Sequence, residues 1–242
     1  MKSKFSPSRA IEKEFERALK KIARASGTIV EHHIDGSKII DPKGMEKALK
    51  EYSRLLTPWA KNQSKKLLGS TLKRIGSDKA YREHTKKIGQ MLSKEVFESE
   101  IGLVTQSLIN EQVDLITSIP VEAGERAQKL ALEGLTDGRR ADEIASELLK
   151  TTEVTESRAK LIARTETARA NTMLNLARAT SVGSTQYRWV TSGDASVRPS
   201  HKKMNGKVFD WDNPPTLSDG TSGHPGTFPN CRCYAEPILP EE

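Results

Sequence analysis

The sequence predicts a mainly α fold, with a helical N-terminal region followed by a small, loop-rich α+β unit at the C-terminal end. Three observations predict it. Apolar residues recur at helical spacing through most of the chain up to residue 183. Aromatic residues are only 5% of the 242 positions, a lean supply for a wide sheet core. From about residue 185 the texture changes to short β-branched and aromatic runs divided by Gly, Pro, Asn and Asp. The expected division is a basic helical region over 1–130 and a second domain over 131–242. That domain comprises helices over 139–183 and a small α+β unit over 185–239.

The first helix is expected over 7–25. Ile11, Phe15, Ala18 and Ile22 form one stripe, Pro7 suits the start, and Gly27 follows the end. Residues 26–41 read as a loop or short hairpin. Asp41-Pro42 then opens a helix that runs to Thr57, where Pro58 should kink or restart it. The stretch "LGSTLKRIGSDKA" is glycine-broken and basic, so it reads as a weak helix or linker.

Residues 79–118 carry the longest helical pattern, with a seam of Phe97, Ile101, Val104, Leu108 and Leu115, and Pro120 should end it. A short helix follows from Pro120 to Leu135. A turn and another helix come next, with Ile144, Leu148 and Leu149 facing inward. Thr155 is placed to cap a long helix that Gly183 ends. Along it, Leu161, Thr165, Ala168, Thr172 and Leu176 make a narrow stripe of small and apolar residues that permits close packing. "TQYRWVTS" and "RCYAEPIL" read as strands.

Charge is unevenly spread. Residues 1–87 carry 22 Lys+Arg against 10 Asp+Glu, a surplus of +12, whereas the whole chain has +7. The remainder is therefore −5. A basic third suggests a polyanion or an acidic protein partner. Lys20, Lys21, Arg24, Lys65, Lys66, Lys73 and Arg74 are the candidate contacts. A solubilising helix surface is the other reading of the same residues. Nothing approaches the roughly 18 consecutive apolar residues of a membrane span, so no membrane partner is expected. The basic start lacks the apolar run of a secretory signal. Two cysteines make no disulfide framework, and a reducing compartment is the default.

Those cysteines, Cys231 and Cys233, stand one residue apart in "FPNCRCYAEPIL". Read as strand residues, they point to one face, where two thiolates can reach one ion at about 2.3 Å. A disulfide between them would be strained. His201 and His224 are the histidines of this unit, and Asp194 precedes His201 in "DASVRPSH". The candidate metal set is thus Cys231, Cys233, His201 and Asp194, around one structural Zn2+. Ordinary packing of two small, buried cysteines is the alternative. Asp194, His201, Cys231 and Glu166 also have the residue types of metal-assisted hydrolysis, but their spacing matches no helical zinc-hydrolase motif, so no catalytic residue is assigned. In "ARTETARAN", Glu166 and Arg169 can pair on a solvated face. Alternatively, Arg164 and Glu166 reach the following unit and fix its orientation.

Taken together, Arg-Thr-Glu at 164–166, Trp189-x-Thr, Asp194-x-x-x-Arg198-x-x-His201 and Asn-Cys-Arg-Cys at 230–233 resemble the phage Mu protein F-like family. The likeness covers roughly residues 130–236. It implies a phage minor head, or head-morphogenesis, protein. Such a protein is made in the host cytoplasm and placed in the virion, in the capsid interior or at the portal vertex. The implied partners are the portal and/or major capsid protein, with the phosphate backbone of packaged double-stranded DNA in reach. The motif positions carried over are Arg164, Thr165, Glu166, Trp189, Asp194, Arg198, His201, Cys231 and Cys233. The resemblance implies no catalytic role for them, and it strengthens the case for a shared structural metal. The rival expectations are a zinc-dependent nuclease or other metal-dependent hydrolase acting on phage or host DNA, and a plain DNA-binding protein. The −5 outside the basic third counts against the last.

Overall fold

The computed structural model describes residues 5–77, 100–137 and 139–240. Its elements in chain order are α1 (Arg9–Glu31), β1 (Ile34–Asp35), β2 (Lys38–Ile39), α2 (Pro42–Gly76), α3 (Glu100–Thr136), α4 (Ala141–Leu149), α5 (Thr151–Ser181), β3 (Gln186–Val190), α6 (Pro199–Lys202), β4 (Val208–Asp210) and β5 (Tyr234–Ile238). The fold is mainly α, with the larger sheet near the C-terminal end, as the sequence predicts.

The helix does not restart at Pro58, and it does not end at Pro120. Pro58 lies inside α2 and Pro120 inside α3. A proline in a helix interior costs about 3 kcal/mol. On either side of Pro58 the apolar stripe continues in phase, through Met45, Leu49 and Leu56 and then Ala60 and Leu67. Ile116, Ile119, Ala123 and Ala127 do the same around Pro120. Each large side chain so buried contributes about 1.5–3 kcal/mol, enough to hold the helices together across the lost hydrogen bonds. Of the basic stretch read as a weak helix or linker, residues 68–76 form the last part of α2, with Leu68 and Ile75 buried, and residues 78–80 lie outside the described residues. The predicted seam is also corrected. Leu108 is buried, but Val104 and Leu115 are only half-buried, and the buried row runs through Ile109, Gln112, Val113 and Ile116. Phe97 lies outside the described residues.

The chain forms two compact units, each drawn from separated segments. One contains 14–64 and 111–163; the other contains 1–13, 65–110 and 164–242. The first unit has a core of Val30, Met45, Leu49, Ala127, Leu130, Ile144 and Leu148. Leu149, expected inward, is 64% exposed. Gly27 does not end α1. It lies in the helix where Thr152 approaches so closely that an added Cβ would sit 1.8 Å from its Oγ1. The glycine therefore serves helix–helix contact rather than termination. Thr155, expected as a cap, is one turn inside α5, and its hydroxyl donates to the Thr151 carbonyl at 2.7 Å.

The second unit is built on a three-stranded antiparallel sheet in the order β4-β3-β5. Tyr187 is opposite Phe209 on one side and Pro237 on the other, and Trp189 is opposite Ala235. Alternation along β3 sends Tyr187 and Trp189 to the same buried face. They join Ala179 of α5, Trp211, Leu217, Cys231, Cys233 and Ala235 in one core. Gly183, with φ at 85°, ends α5 and turns the chain into β3.

Candidate metal centre

The sulfurs lie just before β5, not within it. Residues 231–233 have no strand pairing, and the Cys233 backbone N–H turns back to donate to Cys231 Sγ at 3.4 Å. The two cysteines therefore reach one side through a turn, and strand alternation is not the cause. His201 comes from the short helix α6, started by Pro199. Its Nδ1 lies 3.4 Å from Cys231 Sγ and 3.5 Å from Cys233 Sγ. All three residues are buried, and their ligand atoms lie within 4.8 Å of one another.

This donor set fits a zinc-like ion. Metal bonds of about 2.3 Å to sulfur and about 2.0 Å to nitrogen, at a tetrahedral angle, put S and N about 3.5 Å apart. The observed separations are within about 0.2 Å of that value. Two thiolates and an imidazole are also a soft set that favours zinc over magnesium or calcium. The surroundings stabilise negative sulfur. Backbone N–H groups of Cys233 and Gly226 point at Cys231, and that of Ser192 points at Cys233. The hydrogen bond shared between the two thiols holds Cys231 well below the ordinary thiol range, and the same bond with burial pushes Cys233 up. With an ion bound, both would be thiolates.

The His201 ring is fixed by aromatic edges. Trp189 lies at 5.5 Å and 89°, and Phe228 at 5.0 Å and 63°. Asp194 does not join the cluster. Its Oδ2 pairs with Arg232 Nη2 at 2.9 Å, and its Oδ1 accepts from the Ser196 N–H at 3.0 Å. His224 also stands apart, bonded through Nδ1 to the Tyr187 hydroxyl at 3.1 Å.

The loop that carries the cysteines is held by α5. Arg164 Nη1 donates to Asn230 Oδ1 at 2.8 Å, and Thr165 Oγ1 accepts from the Asn230 N–H at 2.9 Å. Asn230 has φ at 61°, a conformation that asparagine tolerates better than most residues. One and two turns on, Thr172 donates to the Pro225 carbonyl at 2.6 Å, and Gly226 rests on Ala168 and Thr172. A Cβ on Gly226 would meet Thr172 Oγ1 at 2.7 Å and the Ala168 carbonyl at 3.1 Å. The small-residue stripe of the sequence is therefore the seat of this loop. Just before α6, Arg198 Nη2 donates to the Pro229 carbonyl at 2.7 Å. Arg164 reaches the following segment as expected. Glu166 is not on a solvated face: it is 2% exposed.

The basic candidates fare unevenly. Arg24 pairs with Glu156 at 2.6 Å, and Lys20 with Glu16 at 3.0 Å. Arg74 is half-buried and bonds the Ser6 carbonyl. Lys21, Lys65, Lys66 and Lys73 are exposed. Asn230 as a clamp and Arg232 as the partner of Asp194 are not singled out by the sequence reading. The Pro-Asn step before Cys231 is the available signal for Asn230, because asparagine after proline favours a turn with positive φ.

Among the described residues no helix is long and apolar enough to cross a membrane. A family model described as Phage Mu protein F like protein matches residues 125–236. An uncharacterized protein of Haemophilus influenzae is 34% identical over 127 residues, which is 52% of this chain and 28% of that protein. The chain thus spans about a quarter of the length of that relative. No solved structure matches.

Proposed function

We propose that this protein is a minor head protein of a tailed phage or prophage, with a role in head assembly rather than chemistry, because residues 125–236 match the model of the phage Mu protein F-like family. The family match carries the reading. The site geometry supports it: three buried ligands beside Trp189 and Phe228 would staple the loops around a three-stranded sheet. His201, Cys231 and Cys233 would hold a structural Zn2+, which supplies cross-linking. The residues of the chain supply the rest: the α5 stripe seats the loop, and the backbone N–H groups stabilise the sulfurs. Portal or shell protein is the proposed partner, and the virion is the proposed place of action.

Contact with packaged DNA is a second part of this proposal. It rests on α2 more than on the residues that composition suggests. Lys43, Lys47, Lys50, Arg54 and Lys61 are all exposed. At 100° per residue they fall within an arc of about 60°, over a length of about 27 Å. Lys50 and Arg54 are partly offset by Glu46 and Glu51. Such a stripe suits a phosphate backbone and would act without sequence preference.

The test is genetic and biochemical together. Deleting the gene from its phage or prophage should cut the yield of filled heads seen by electron microscopy. The purified protein should be retained by purified portal or shell protein. Normal numbers of infectious heads from the deletion sink the assembly role. Cleavage of DNA by the purified wild type with Zn2+, lost in His201→Ala, would favour the hydrolase instead.

A further inference from the structure

We propose that the His201–Cys231–Cys233 centre leaves its fourth metal position open, and that this position takes an oxyanion, carboxylate or phosphate, from outside the chain. The inference rests on the metal reading above and deepens it.

Three observations carry it. Among the described residues, no fourth His, Cys, Asp or Glu has a ligand atom in the cluster. A tetrahedral ion held by three residues keeps one corner free, the arrangement of exchangeable rather than closed zinc sites. The nearby carboxylate of Asp194 is already fixed by Arg232 and the Ser196 N–H, and moving it onto the ion would break both bonds.

The free side has somewhere to open. The three ligands line a cavity of about 190 Å³ together with Asp194, Arg198 and Arg232. At about 30 Å³ per water, this volume holds on the order of six waters. It admits a single carboxylate or phosphate group, and it is below the roughly 300 Å³ of an ordinary small-molecule pocket.

The charge balance selects the ligand. A dication with two thiolates is neutral. Arg232 is balanced by Asp194, and Arg164 by Glu12 at 3.2 Å. Arg198 instead bonds a neutral carbonyl, that of Pro229. Its guanidinium therefore retains its charge at the cavity wall, in a geometry fixed by that bond. A guanidinium beside an open metal corner favours an oxyanion over a neutral ligand.

Cobalt(II) loading of the full chain tests this. The thiolate-to-cobalt charge-transfer band reports the metal, and the ligand-field bands report the fourth position. Acetate and phosphate, titrated separately, stand for the two oxyanion sources. The expected result is a saturable shift of the ligand-field bands with at least one of them, in wild type and in Asp194→Asn alike. Arg198→Gln should weaken that binding about tenfold or more while the charge-transfer band keeps its intensity, and Arg198→Lys should restore part of it. A charge-transfer band with ligand-field bands unmoved by both anions overturns the open position alone. Ligand-field bands altered by Asp194→Asn without added anion overturn it too, since Asp194 would then be the fourth ligand. Failure to form the charge-transfer band overturns the metal reading, and this proposal with it.

Discussion

Asn230 concentrates the logic of the site in one residue. Its side chain accepts from Arg164 at 2.8 Å, its N–H donates to Thr165 at 2.9 Å, and its φ is 61°. Asn230→Ala removes the acceptor and places a Cβ-bearing residue without local hydrogen bonding in the left-handed region. The strain costs about 1–2 kcal/mol. The lost bond to Arg164 is charge-assisted but partly solvated, so about 1 kcal/mol is appropriate, at the low end of its usual range. The expected total is about 2–3 kcal/mol. Asn230→Asp keeps an acceptor, tolerates the same φ and gives Arg164 a charged partner, so it should remain within about 0.5 kcal/mol of wild type. Urea unfolding followed by tryptophan fluorescence reads this directly, because Trp189 and Trp211 are buried in the unit concerned. An alanine variant as stable as wild type, or an aspartate variant as damaged as alanine, would refute the clamp.

Four further outcomes are expected. Elemental analysis of purified protein should find about one zinc per chain, absent in Cys231→Ser, with a drop of several degrees in Tm. Gly226→Ala should lose about 2–4 kcal/mol, from its φ of 90° and its contacts with Thr172 and Ala168; a change under about 0.5 kcal/mol in the same urea series would contradict the close seat on α5. Burial holds His224 below its ordinary value, so the unfolded chain binds its proton first. Stability is then full above the unfolded value of about 6.5 and is lost as pH falls through it, and His224→Gln should flatten that part of the profile in melts between about pH 8 and 5. Replacing Lys43, Lys47 and Lys61 together with Gln should lower the slope of log affinity for duplex DNA against log salt by about 3, and an unchanged slope removes α2 from the interface.

Much of the helical framework was readable from periodicity, because burial of one face imposes it directly. The helices run on through both prolines for a definite reason. Pro58 and Pro120 each cost one hydrogen bond locally, while the stripes of Leu49 and Leu56, or Ile116 and Ile119, are long-range contributions that no local rule weighs. Gly27 was misread likewise, since its role depends on Thr152, which lies far away in sequence. At the site, Cys231, Cys233 and His201 were recognisable as soft ligands of the right types. Their meeting depends on a turn before β5, which the sequence reading took for strand. Asp194 was drawn in by proximity in sequence, but its charge is used by Arg232. The roles of Arg164 and Asn230 emerge only once α5 and the cysteine loop are side by side.

The unit that carries the sulfurs is assembled from residues 1–13, 65–110 and 164–242, whereas the other uses only 14–64 and 111–163. During synthesis the latter can be completed first, as soon as residue 163 has left the ribosome. The sheet cannot, because its central strand waits for β5. A nascent chain therefore carries no finished sulfur–imidazole centre until β5 has left the ribosome, and any docking that depends on it waits for that strand.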